Sequence, residues 1–212
     1  MRAKLPPMPD PRPCRRAPRR PELRPEPDAL EHLEVIRQTM ERSTAFTAVS
    51  GWGYVGMGAT ALFASYLALR QPTIEAWLAV WLGEALVAVT VALVAMHWKA
   101  SRLGTPILSL PGRRLFVGLL PALFAGGVLT VALVRSGDTR QIPGVWLLLY
   151  GVAVMQAGAF SVRTIPVMGA LFVLTGAIAL PLPWLWANVM LAGGFGLVHI
   201  AFGAYIARRH GG

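Results

Sequence analysis

The chain has 212 residues, 55% hydrophobic and 14% charged, with mean hydropathy +0.53 and formal net charge +10. This balance excludes a water-soluble domain, whose helices would be apolar along one stripe only. It also excludes nucleic acid as the first explanation of the charge, because the basic residues sort by membrane side.

Residues 1–27 are rich in Pro and Arg and read as a disordered tail. Arg15-Arg16 and Arg19-Arg20 look superficially like a twin-arginine signal, but no short apolar stretch with a cleavage site follows. The tail reads as part of the protein or as a start-site artefact. Cys14 stands alone, so no internal disulfide forms. Asp28-Ala-Leu-Glu31 has capping-box spacing. It opens a segment with Leu30, Leu33, Ile36 and Met40 on one face. Residues 28–43 therefore read as an amphipathic helix on the cytoplasmic surface or running into span one, or alternatively as a partner-binding helix.

Residues 44–212 read as an all-α transmembrane domain. A bilayer core needs about 20 apolar residues as helix. Six spans are predicted, at Phe46–Leu69, Ala76–His97, Leu115–Val134, Gly144–Val162, Ile165–Leu180 and Trp184–Ala207. Of the 20 Lys and Arg residues, 17 fall in the tail and alternate loops, including Lys99, Arg102, Arg113, Arg114, Arg163, Arg208 and Arg209. The other side holds only Arg70, Arg135 and Arg140. The positive-inside rule places both termini in the cytoplasm. Trp77, Trp81, Trp146, Trp184 and Trp186 fall near the outer ends, where an interfacial belt is expected.

Four polar residues are candidates for an intramembrane site: Glu84, His199, Gln156 and Asn188. Glu84 is the acidic residue inside a span, where a charge is costly. It shares a stripe with Ala76, Val80, Ala88 and Ala92, which predicts that it faces another helix or a wet cavity. His199 shares a stripe with Asn188, Ala192, Gly196 and Gly203, and the same argument turns it inward. These groups suit a proton or cation site, or simple hydrogen bonds between helices. Water or Gln156 is the expected bridge between Glu84 and His199. Gln156 and Tyr150 are candidate cavity groups. His97 and His199 could ligate haem, but no further ligand spacing supports that. Gly118, Ala122 and Gly126 form a ridge on span three that suits tight packing or a homo-oligomer face. Gly51-Trp-Gly53-Tyr-Val-Gly56-Met-Gly58 lacks the Lys and the preceding strand of a phosphate loop. No Ser-His-Asp set, CxxC, HExxH or carboxylate pair occurs inside the spans, so neither enzyme, cofactor nor metal is expected.

Spans three to six carry matches at a constant offset of 45 residues, among them Pro121 with Pro166, Val128-Leu129-Thr130 with Val173-Leu174-Thr175, and Arg163 with Arg208. The repeating unit would be one helical hairpin. Gly169-Ala-Leu-Phe-Val-Leu-Thr-Gly176-Ala-Ile-Ala-Leu-Pro181, followed by Gly194-Phe-Gly196 and Gly203, resembles the short hairpin repeat of HdeD-like bacterial membrane proteins. That resemblance implies six spans in three hairpins and an association with acid stress. The segments Leu33–Arg42 and His199–Gly212 are similar to an uncharacterised bacterial multi-pass family. Neither resemblance implies a catalytic residue. The expectation is a small, non-enzymatic inner-membrane protein of the envelope or stress response, whose partner is the lipid bilayer. The alternative is a proton-coupled small-solute transporter or channel using Glu84 and His199.

Overall fold

A computed structural model of the chain describes residues 32, 50–104, 110–158 and 164–210. His32 is helical and exposed. The 1–27 tail, the rest of the 28–43 helix and the start of span one lie outside the described residues. Among the described residues, all regular structure is helical. The helices are α1 (Gly51–Ala68), α2 (Ile74–Leu103), α3 (Leu110–Ser136), α4 (Ile142–Gly158), α5 (Thr164–Ala179), α6 (Ala187–Leu191) and α7 (His199–His210). A π-helical segment, Ala192–Val198, joins α6 to α7, making one C-terminal rod.

Helix ends follow local chemistry. Ser50 caps α1 by accepting from Gly53 N–H at 3.2 Å, and Thr73 caps α2 by accepting from Ala76 N–H at 3.2 Å. Nothing in the sequence stops α2 at His97. It runs through Lys99 and Arg102 to Gly104, whose φ of 63° ends it. At 30 residues it is about 45 Å long, well beyond a bilayer core. Gly137, with φ 79°, ends α3.

Four segments are long and apolar enough to cross a membrane: Ile74–Arg102, Val117–Ser136, Thr139–Gly158 and Trp184–Arg209. The other two predicted spans are weaker. Helix α5 has 16 residues, about 24 Å. The 18 residues of α1 include four glycines, which dilute its apolar content.

Close glycine contacts set the packing. A Cβ at Gly51 would lie 2.3 Å from Ala207 N, and one at Gly58 would lie 2.5 Å from Gly196 O. With Ser65 bonded to the Asn188 carbonyl, α1 runs antiparallel to the C-terminal rod. Likewise, a Cβ at Gly151 would lie 2.7 Å from Gly169 O, and one at Gly176 would lie 2.6 Å from Leu148 N. Both pairs use glycines seven residues apart, two helical turns, so small residues recur on one face.

Helix α2 packs against α1, and α3 packs against α4. The ridge on α3 is therefore occupied within the chain: Gly118 faces Ala157 and Gly126 faces Leu149. The tightest packing, α4 on α5, crosses the boundary between the two predicted hairpin units, while the C-terminal rod packs mainly on α1. Equal, separate hairpins are thus not the packing unit. The outer surfaces of α2 and α3 are apolar and exposed, with Leu86 and Phe124 among the most open. Such faces suit lipid.

Candidate functional site

The interior holds two polar centres within one column of aromatic rings. The upper centre is Asn188, the first turn of the C-terminal rod. Its Oδ1 accepts from Trp77 Nε1 at 2.9 Å and from Trp81 Nε1 at 3.2 Å. Its backbone carbonyl accepts from Ser65 Oγ at 3.1 Å. Trp77 and Trp81 are one turn apart on α2, so both indoles reach the same oxygen. They are 2% and 3% exposed, which corrects their assignment to an interfacial belt. An indole N–H inside a bundle needs an acceptor, and Asn188 supplies it. Trp184 and Trp186 remain partly exposed.

The lower centre is His199, buried at 2% exposure. Its Nδ1 lies 2.9 Å from the Phe195 carbonyl and its Nε2 lies 2.8 Å from Tyr150 Oη. A carbonyl only accepts, so Nδ1 carries the hydrogen. In the neutral ring, Nε2 is then a lone-pair acceptor and the Tyr150 hydroxyl donates to it. Phe195 sits inside the π-helical segment. There, the His199 backbone N–H bonds to Gly196 O, and the His199 ring serves the Phe195 carbonyl. Both ring nitrogens are engaged, so neither is open to a haem iron, and His97 is exposed at the far end of α2.

Rings link the two centres. Trp184 meets Trp77 at a centroid distance of 4.8 Å, and Trp77 meets Trp81 at 6.3 Å. Trp81 meets Phe195 at 6.5 Å, Phe195 meets Tyr150 at 5.1 Å, and Tyr54 stacks on His199 at 5.5 Å. Phe172, fully buried, closes the side at 4.8 Å from Tyr150.

Glu84 is elsewhere. The stripe Ala76, Val80, Glu84, Ala88, Ala92 is partly buried throughout, and it faces α1 as the small-residue pattern predicts. Thr60 of α1 donates to Glu84 Oε1 at 2.8 Å, and its hydroxyl also lies 2.9 Å from Met57 O. Gln156 is exposed and does not bridge Glu84 to His199. Among the described residues the two share no hydrogen-bond partner: Glu84 bonds to Thr60 of α1, whereas His199 bonds to Tyr150 of α4 and to the Phe195 carbonyl. Asn188 and His199 do share one inward face, as expected.

Thr60, Ser65, Tyr54 and Phe195 were not among the sequence candidates. The signal was present for two of them. Thr60 and Ser65 lie close to the glycine-spaced face of α1 that meets other helices. Nothing in the sequence announced the π-helical segment or the ring it positions. Among the described residues, every buried side-chain nitrogen or oxygen has a partner. No family model matches the chain, and comparison with curated proteins and with solved structures gives no match.

Proposed function

We propose that the chain is a small, non-enzymatic, multi-pass protein of the bacterial cytoplasmic membrane, with six spans and both termini cytoplasmic, acting in envelope or stress physiology. One observation carries the membrane placement. Antiparallel packing brings Lys99, Arg102, Arg113, Arg208 and Arg209 to one end of the bundle. Arg70, Arg135 and Arg140 lie at the other end, where Arg140 pairs with Asp138 at 3.4 Å. The non-enzymatic reading is supported by the interior, where Asn188, His199 and Ser65 bond to neighbouring helices. The stress association rests on sequence likeness alone.

Alkaline phosphatase fused after Asp138 should be active, and fused after Gly212 inactive. The reverse pattern would overturn the topology. Cells lacking the protein should survive an acid challenge less well than their parent, and equal survival would remove the stress role.

A second reading, a proton-coupled transporter or channel, is favoured by the Glu84–Thr60 bond, which places a carboxyl group between helices. It rests on Glu84 without His199. In liposomes carrying a pH-sensitive dye, Glu84→Gln should abolish proton flux, and Glu84→Leu should cause no further loss. If neither changes flux, the bond is structural, and Glu84→Leu then costs about 1 kcal/mol of bundle stability.

A further inference from the structure

The geometry points to Tyr150 and His199 as a proton-coupled redox pair at the inner end of an aromatic column, able to trap a one-electron oxidising radical arriving at Trp184. The inference is independent of the function proposed above. It stands on the ring contacts, the fixed tautomer of His199 and the chemistry of each ring's hydrogen-bond partner.

The entry ring is Trp184, 39% exposed. From it the rings run through Trp77 and Trp81 to Phe195 and Tyr150, with no centroid step longer than 6.5 Å. Contacts at this spacing let an electron vacancy pass between the indoles and tunnel across Phe195, whose benzene ring is too hard to oxidise to hold it. Trp77 and Trp81 give their N–H to an amide oxygen, and Trp146 gives its N–H to Thr130 Oγ1 at 2.7 Å. Neither acceptor is basic enough to take the proton, so an oxidised indole keeps its hydrogen and the vacancy moves on. Tyr150 differs. Its O–H points at a neutral imidazole nitrogen 2.8 Å away. Phenol oxidation is favourable when its proton leaves with the electron, and here a base is already in hydrogen-bond contact.

A lipid peroxyl radical takes one electron from Trp184 and becomes a peroxide anion. That anion takes a proton from interfacial water, giving a hydroperoxide and leaving hydroxide. The vacancy is filled by an electron from Tyr150 as its O–H bond breaks. The proton goes to His199 Nε2, forming imidazolium, and a neutral phenoxyl radical remains. The imidazolium still donates from Nδ1 to Phe195 O, so the π-helical segment keeps its bond. A quinol-class reductant returns the electron and becomes a semiquinone, the proton it loses neutralises the hydroxide, and the proton on His199 Nε2 returns to Tyr150 Oη.

The test uses the full chain in lipid nanodiscs. Photoexcited tris(bipyridine)ruthenium with persulfate is the oxidant, and electron paramagnetic resonance after freezing is the readout. The expected result is a tyrosyl radical that Tyr150→Phe reduces roughly tenfold or more, with His199→Gln slowing its formation by a similar factor. The chain has four tyrosines, so a Tyr66→Phe/Tyr205→Phe double variant should keep the signal. A thermal midpoint near wild type shows that Tyr150→Phe is folded. No tyrosyl radical in the wild type, or an undiminished one in folded Tyr150→Phe, would overturn the assignment. So would formation kinetics in folded His199→Gln equal to wild type.

Discussion

Gly151→Leu should cost the bundle about 3 kcal/mol or more, because the new side chain has nowhere to go. A Cβ at this position would already lie 2.7 Å from Gly169 O and 2.7 Å from Val173 N. Both are backbone atoms of α5, so no rotamer change relieves the clash, and the helices must separate. Separation forfeits the close packing that drives helix association in a bilayer. Gly58→Leu should behave similarly, since its Cβ would lie 2.5 Å from Gly196 O. Gly127→Ala and Gly193→Ala are the contrast, with nothing within 4 Å of either Cβ. Each should stay within about 0.5 kcal/mol of wild type. Unfolding in mixed micelles, followed by Trp fluorescence, reads all four. A Gly151→Leu midpoint equal to wild type would show that α4 and α5 do not pack through this face.

Asn188→Leu should be the most damaging polar substitution, costing about 2 kcal/mol or more. An interhelical hydrogen bond in a bilayer averages only about 0.6 kcal/mol, so two such bonds alone would not give that figure. The asymmetry comes from the partners. Trp77 and Trp81 are buried, and losing Oδ1 leaves two indole donors without an acceptor. Asn188→Asp retains an acceptor oxygen and should keep both indole bonds. A double-mutant cycle checks the cause: Trp77→Phe should cost less in the Asn188→Leu background than in wild type. Equal costs in the two backgrounds would show that the indole and the amide are not coupled.

Much of the architecture was legible because lipid-facing helices must be apolar over their length. Runs of that kind are visible without knowing any partner. The cores of α2 to α5 and the C-terminal rod fall where the apolar runs predict, and the inward stripes of Glu84 and of Asn188 with His199 follow from small residues at helical spacing. Other features depend on which helix meets which, and periodicity does not carry that. Trp77 and Trp81 read as interfacial until Asn188, more than a hundred residues later, proves to accept from both. Gln156 read as a bridge until its face proved exposed. Glu84 and His199 read as one site until Glu84 proved to bond to Thr60 of α1 and His199 to Tyr150 of α4. The seven-residue glycine spacing was in the sequence throughout, but its pairing of α1 with the C-terminal rod and of α4 with α5 was a tertiary choice. The amino-acid order decided which residues avoid water. The packing decided which polar groups satisfy one another, because a buried donor accepts whatever partner the neighbouring helix brings.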